Sequence, residues 1–305
     1  MLDLTKFSPQ KTCSCGIGEI LFDIYDGIPH LGGAPANFAY HMHALGIKSK
    51  MISAVGNDDL GKKARQILDE NSIESYLQTS CKPTGYVSVS LDENKIPSYS
   101  FLDDTAYDNL EFDDNLKAQA TNTNIACFGT LAQRNEKSRL SILSFLDAMK
   151  DDARLRIFDV NLRQNFFSKE IILQSLKRCE AIKCNEDEIE SIALICGLKE
   201  YKGPEQFFKF LRSININLFI FTEGSKQSTV FLNKEISVIK TPKVQVVDTV
   251  GAGDCFTAAI ISSIIEGKPL KEAHQFAVNL SAYVCTKKGA MPNLKDFLAL
   301  RQICG

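Results

Sequence analysis

Short apolar runs recur from one end of the chain to the other, each separated from the next by an amphipathic stretch. Residues 50–55, 124–128, 156–160, 181–183, 218–221 and 244–247 have the length and composition of strands. Residues 37–45, 61–69, 136–149 and 169–177 repeat apolar positions at helical spacing. Several helical stretches stop at glycine, as at Gly46, Gly197 and Gly267, where a left-handed residue can close the last turn. Strands alternating with helices read as βαβ crossovers. They predict an α/β fold, a doubly wound and mostly parallel sheet covered on both faces. The 305 residues suit one large domain of this kind or two small ones.

One region breaks the rhythm. Residues 84–91 alternate with period two, 92–95 supply turn residues, and 96–102 return, the pattern of a β-hairpin. It reads either as an extra antiparallel edge on the main sheet or as a small β lid over a site.

Composition narrows the function classes. The net charge of −2 leaves no basic field to point to nucleic acid or an acidic membrane. The opening MLDLTKFSPQK mixes acid, base and proline and lacks the apolar core of a signal peptide. No apolar stretch approaches the roughly 20 residues needed to span a bilayer, so the expected location is the reducing cytoplasm. Of the ten cysteines only Cys13 and Cys15 lie close together, and there is no C-x-x-C. Cys127, inside Ile125-Ala126-Cys127-Phe128, reads as a small hydrophobe. His30, His41, His43 and His274 are scattered, and His41 and His43, two apart, face different ways on a helix. No metal site is predicted from them.

In open α/β sheets, ligands bind outside the carboxyl ends of the strands. Four expected strand ends carry polar signatures: Asp159, Asn161 and Arg163; Asn185, Glu186 and Glu188; Thr222 and Gly224; Asp248 and Thr249. Any one alone is explained as a turn or a helix cap. Four on one sheet edge are harder to explain that way. The stretch VVDTVGAGDCFTAAIISSII carries most information. Its loop 248–254 is rich in small residues, and an apolar helix begins near Asp254. Bare backbone amides and a helix N-terminus make an anion cradle. An aspartate there reads as a helix cap, or as the acceptor of a proton from a hydroxyl that attacks a phosphoryl group. The P-loop pattern is missing, and Gly16-Ile17-Gly18 and Gly251-Ala252-Gly253 both lack the third glycine of the dinucleotide fingerprint.

A second constellation lies near the N-terminus. Gly18-Glu19-Ile20-Leu21-Phe22-Asp23 reads as a strand ending in a carboxylate, and Leu31-Gly32-Gly33-Ala34-Pro35-Ala36-Asn37 opens a helix. A carboxylate, exposed glycine amides and an Asn side chain suit a polyhydroxylated ligand, because each hydroxyl both donates and accepts. A glycine turn with Asn37 as N-cap accounts for the same residues.

These motifs resemble the ribokinase-like (PfkB) carbohydrate kinases over nearly the whole chain, and the fructokinase-like branch in particular. The resemblance rests on LGGAPANFAYHMHALG followed by AVGNDDLGKKARQIL, and on DTVGAGDCFTAAI. Between and after them, DVNLRQ, Asn185-Glu186-Asp187-Glu188, Thr222-Glu223-Gly224 and CTKKGAMPNL follow in family order. It implies one kinase domain over residues 1–305, with a β lid formed from about 22–31 and 84–102. The activity implied is ATP-dependent phosphorylation of a sugar primary hydroxyl, fructose to fructose 6-phosphate. The acceptors implied as alternatives are ribose, 2-keto-3-deoxygluconate or a nucleoside. A non-catalytic family member would tend to lose the carboxylate or the glycine loop, and both stand here.

By resemblance, Asp254 is the catalytic base and the amides of Gly251, Ala252 and Gly253 form the anion hole. Asp23, Gly32, Gly33, Asn37, Tyr107 and Arg163 line the sugar. Asn185, Thr222, Gly224 and Asn279 serve the nucleotide. Glu188 organises the Mg2+ shell through water, and Asp248, Val250 and Gly289 match a K+ site. In many relatives the lids pair into homodimers. The stretch Ala106-Tyr107-Asp108 departs from a form with Trp in the middle; this chain has no Trp, and Tyr107 keeps an aromatic wall of different shape.

Overall fold

The computed structural model describes residues 1–25, 27–91, 97–150 and 154–304. The strands are β1 Cys13–Ile17, β2 Leu21–Tyr25, β3 Ile28–Gly32, β4 Lys48–Gly56, β5 Glu74–Ser80, β6 Gly85–Leu91 and β7 Pro97–Phe101. They continue with β8 Ile125–Phe128, β9 Leu155–Asp159, β10 Ala181–Asn185, β11 Leu218–Glu223, β12 Gln227–Leu232 and β13 Glu235–Lys240. The helices are α1 Ala34–Ala44, α2 Asp59–Glu70, α3 Asp114–Thr121, α4 Glu136–Ala148 and α5 Lys169–Leu176. After them come α6 Ile189–Ile195, α7 Pro204–Ser213, α8 Ala252–Ile265, α9 Leu270–Cys285 and α10 Lys295–Cys304.

The large sheet has the order β13-β12-β11-β10-β9-β8-β1-β4-β5. From β11 to β5 every pair is parallel; β12 and β13 add an antiparallel edge. The chain runs outward from β1 through β4 to β5, then restarts at β8 on the other side of β1. That reversal opens a crevice at the carboxyl ends of β1 and β8, where doubly wound sheets take their ligands.

Both faces of this sheet are covered, and successive strand residues serve opposite cores. Phe158 and Phe219 join one apolar cluster with Phe128, Phe207 and Phe231. Their neighbours Ile157 and Ile220 join the other with Phe38 and Ile260. This is why the parallel strands read as unbroken apolar runs rather than alternating ones. Gly16 is required by close packing: a Cβ there would lie 1.8 Å from the Pro35 carbonyl oxygen at the start of α1. Helix α8 is apolar on nearly all sides because residues 255–263 are buried.

A second, four-stranded sheet has the order β3-β2-β6-β7. The hairpin β2–β3 and the pair β6–β7 are joined by parallel pairing of β2 with β6. The period-two stretch at 84–91 thus becomes β6, in a separate small sheet rather than at the edge of the large one. The expected turn at 92–95, with Ile96, lies outside the described residues. Among the described residues no helix is long and apolar enough to cross a membrane.

Three local readings need correction. Residues 244–247 form no strand. Val244, Val246 and Val247 are exposed, and the amides of Val247 and Asp248 both donate to the Cys285 carbonyl at the end of α9, 2.8 and 3.2 Å away. An apolar run needs a strand edge to become a strand, and this one is tied to a helix terminus instead. Asp23 sits in the middle of β2 rather than at a strand end. Gly18, at φ +145, turns the chain out of β1 while its carbonyl accepts from the Ser53 hydroxyl at 2.6 Å. The N-cap of α1 is Gly33, which places Asn37 inside the helix.

Candidate active site

The loop ahead of α8 brings its small residues to the N-terminus of that helix. Gly251 caps the helix at φ +77, and a Cβ on it would lie 2.7 Å from the Ala290 Cβ. Only glycine meets both demands. Gly253 lies over Lys183, whose Cε and Nζ would each be 3.2 Å from an added Cβ. The Ala252 amide makes a long turn bond of 3.3 Å to the Thr249 carbonyl, and the Cys255 amide takes the Gly251 carbonyl at 2.8 Å. The Gly253 and Asp254 amides are first-turn donors of α8, the groups that a helix leaves for an anion.

Asp254 stands at the lip of this loop. The Asn37 side-chain amide donates to its Oδ2 at 2.7 Å, joining residues 217 apart in sequence. Burial pushes the Asp254 carboxyl up to about 6. Asp159 adds to the rise; Lys183, the Asn37 bond and Arg163 oppose it. Behind the loop, the Lys183 ammonium donates to Asp159 at 2.9 Å, both side chains buried. Asp159 and the charges of Glu188 and Asp254 hold the Lys183 pKa above its ordinary value although burial lowers it. A fixed positive charge therefore lies directly beneath Gly253.

Glycine spacing shapes the neighbouring pocket too. A Cβ on Gly32 would come within 2.8 Å of the Asp23 carboxylate, and one on Gly33 within 2.5 Å of the Glu19 carbonyl oxygen. Burial raises the Asp23 pKa to about 6, against the pull of Arg163. Arg163 is exposed, on the loop after β9 in which Asn161 and Gln164 both have positive φ. Its charge reaches Glu19, Asp23 and Asp254. Tyr107 is 2% exposed, in a 3-10 turn at Ala106–Asn109. Its ring fills the space over Gly85, where a Cβ would approach to 2.4 Å. The Arg134 guanidinium lies 5.2 Å from the ring centroid and pairs with Asp108, which sets the ring as a fixed wall.

The remaining expected residues form two groups. Asn185 Oδ1 accepts from the amides of Asp187 and Glu188, while the Glu188 carboxylate accepts from the amides of Leu162 and Asn185. Glu188 thus laces together the loops after β9 and β10. Thr222 pairs with Asn185 across β10 and β11, and Gly224 follows at φ +52. Asp248 accepts from the amides of Val250 and Gly289 at 3.0 and 2.9 Å, which pins two distant loops together. Asn279 is the residue this network does not reach: it is exposed on α9 and accepts from Gln275.

Three contributors were not singled out from sequence. Lys183 carried a signal, a lysine inside the buried strand AIKCN. Glu19 stood next to Gly18 without any motif of its own. His41 is buried on α1 and bonds the Ala290 carbonyl at 2.9 Å, bracing the residue that packs on Gly251; a helical histidine gives no hint of that.

Comparison with known proteins shows the family. The family model described as pfkB family carbohydrate kinase matches residues 29–296. An ATP-dependent 6-phosphofructokinase of Thermoanaerobacterium thermosaccharolyticum is 30% identical, over 99% of this chain and 96% of that protein. A fructokinase of Vibrio alginolyticus is 26% identical, over 90% and 91%. The crystal structure of an uncharacterized sugar kinase from Pyrococcus horikoshii in complex with ATP superposes with a TM-score of 0.80 at 29% identity, covering 94% of this chain and 97% of that one. Its fold is ribokinase-like, and the chain belongs to the PfkB family of carbohydrate kinases.

Proposed function

We propose that this kinase transfers the terminal phosphoryl group of ATP to the primary hydroxyl of fructose, giving fructose 6-phosphate and ADP, with Asp254 as general base. The observation that carries the reading is the placement of Asp254: a carboxylate held by Asn37 at the rim of a glycine-lined helix N-terminus, with Lys183 beneath. A helix cap needs neither a long-range amide clamp nor a buried cation.

Phosphoryl transfer asks the protein mainly for positioning and charge stabilisation. A sugar hydroxyl is far too weak an acid to be ionised beforehand by a carboxylate. Asp254 orients it and takes its proton as the new oxygen–phosphorus bond forms and the bond to the ADP oxygen breaks. The amides of Gly251, Ala252 and Gly253, joined by that of Asp254, face the charge on the transferring group together with the α8 dipole and Lys183. Asp23, Gly32, Gly33, Asn37, Tyr107 and Arg163 hold the sugar; Asn185, Thr222, Gly224 and Asn279 serve the nucleotide.

Magnesium bound with ATP would neutralise phosphate charge. Both Glu188 oxygens already accept backbone amides, and no group of three potential ligands occurs among the described residues. The site suits an ion held by phosphates and water, with Glu188 behind the water. The Asp248 clamp on Val250 and Gly289 supports a K+ position between those loops. The small sheet acts as a lid. Exposed Tyr25 and Ile28 on its first hairpin support pairing of two copies there, and sedimentation at micromolar concentration gives the mass that decides this.

A second reading takes fructose 6-phosphate as acceptor, favoured by the 30% identical relative that carries the name 6-phosphofructokinase. One experiment separates them: ADP release with Mg-ATP and a panel of fructose, fructose 6-phosphate, ribose, 2-keto-3-deoxygluconate and a nucleoside. Fructose is expected to give the highest kcat/KM. Turnover confined to fructose 6-phosphate moves the assignment to the second reading, and no turnover with any of the five sinks both.

A further inference from the structure

Glu19 is 1% exposed, and neither of its carboxyl oxygens has a hydrogen-bonding partner among the described residues. Seven buried side-chain polar atoms are in that position among the described residues, and three of them, both Glu19 oxygens and Asn37 Oδ1, belong to side chains that flank Asp254. A buried polar atom left without a partner costs about 1–3 kcal/mol, more for a charged one. Glu19 carries two such atoms, and Asn37, which bonds the proposed base, carries a third.

The backbone holds Glu19 in place from three directions. The Gly18 amide donates to the Ile52 carbonyl at 3.1 Å, and the Gly18 carbonyl accepts from Ser53. The Glu19 carbonyl backs onto Gly33, which has no side chain to displace it. The main chain at Glu19 is therefore fixed and cannot shift to bring the carboxyl to a partner. It lies at the carboxyl end of β1, beside the topological reversal, just before the chain enters the small sheet. Asp254 and Tyr107 are both close enough to exchange charge effects with it. Burial raises its pKa to about 7, offset by its own backbone amide and raised further by Asp254. A neutral carboxyl donates one hydrogen bond and accepts another, which matches a sugar hydroxyl.

We infer that Glu19 is a substrate-binding residue whose carboxyl takes a hydroxyl of the acceptor sugar next to the one presented to Asp254. This rests on the sugar-kinase reading of the site. Glu19 fixes which hydroxyl lies at Asp254 by holding its neighbour.

The test uses the full chain with Glu19→Met and Glu19→Gln. Methionine fills the space without a hydrogen-bonding group, so it removes an unsatisfied carboxyl and keeps the packing. Glu19→Met is expected to raise the melting temperature of the ligand-free protein. It should also raise the fructose KM about tenfold or more, with the ATP KM within about twofold. Glu19→Gln, which keeps a donor and an acceptor, should stay within about threefold of wild type in fructose KM. The fructose-dependent rise in melting temperature should shrink in the methionine variant only. A methionine variant with wild-type fructose KM and fructose protection overturns the inference. So does one that melts lower with both KM values unchanged, because that marks a structural carboxyl. If wild type accepts fructose 6-phosphate instead, the variants are read with that sugar. A wild type that phosphorylates neither overturns the site reading itself, before any variant is compared.

Discussion

The two halves of the cleft are built differently. Around Asp254, side chains are buried and bonded across long stretches of sequence: Asn37 to Asp254, Lys183 to Asp159, His41 to Ala290. On the side expected to meet the nucleotide, Asn279 is exposed and bonded locally. It accepts from Gln275, four residues back on the same helix. A base and an anion cradle work only within tenths of an ångström, and long-range bonds between elements supply that precision. A half that exchanges ligand at each turnover needs an open face, and local bonds leave it free to adapt.

If that contrast is functional, substitutions in the two halves must separate by size and by kind. Asp254→Asn keeps the shape and the bond to Asn37 within reach but removes the proton acceptor. It is expected to lower kcat by about 10² to 10⁴-fold with fructose and ATP KM values near wild type. Near-normal turnover would break the comparison at its strongest point. Lys183→Met leaves the buried Asp159 carboxylate alone, a loss of about 3–5 kcal/mol, seen as a fall in melting temperature on the order of 10 °C. Adding Asp159→Asn should recover most of the stability and none of the turnover, which isolates the charge beneath Gly253. In the open half, Asn279→Ala should raise the ATP KM no more than severalfold and leave kcat within about twofold. An Asn279 effect on kcat as large as that of Lys183 would erase the distinction.

The same contrast explains what could be read from the chain alone. Strands β4, β8, β9, β10 and β11 were legible because burial on both faces writes them as continuous apolar runs. The edge strand β13, in EISVIK, sets most of its residues to solvent and gave no such run, and β12, in QSTVFL, opens on Gln227, Ser228 and Thr229, of which the last two are polar yet buried. Residues 244–247 misled for the converse reason: valines suggest a strand, but a strand requires a neighbour, and no local pattern encodes one. At the site, Asp254 and the diglycine were legible because a glycine loop and a helix N-terminus are local events. Lys183, His41 and Glu19 act through residues well outside any local motif, at Asp159, Ala290 and the turn before α1. Their roles come into being only when the sheet order brings β1, β10 and α8 to one edge.

The pH dependence of stability is the most direct reading of the buried half. The folded-state pKa values of Glu19 and Asp23 are raised to about 7 and about 6 from ordinary values of 4.5 and 3.8. Between those limits the folded chain keeps protons that the unfolded chain has already released. Stability then falls as pH rises through that window, by up to about 1.4 kcal/mol per pH unit for each such proton, and levels off above pH 7. Ion pairs elsewhere have the opposite sign, so the comparison must be internal. Glu19→Gln has no proton to keep; the difference in melting temperature between wild type and this variant should shift in the variant's favour from pH 5 to pH 7 and stay flat above. Arg163, the exposed cation that lowers both carboxyls, gives the counterpart: Arg163→Ala should carry the acid limb of kcat/KM to higher pH, and added salt should shrink that displacement. Parallel melting curves for wild type and Glu19→Gln would mean that the Glu19 carboxyl is ionised and partnered in the folded chain. The buried half would then be no less satisfied than the open one.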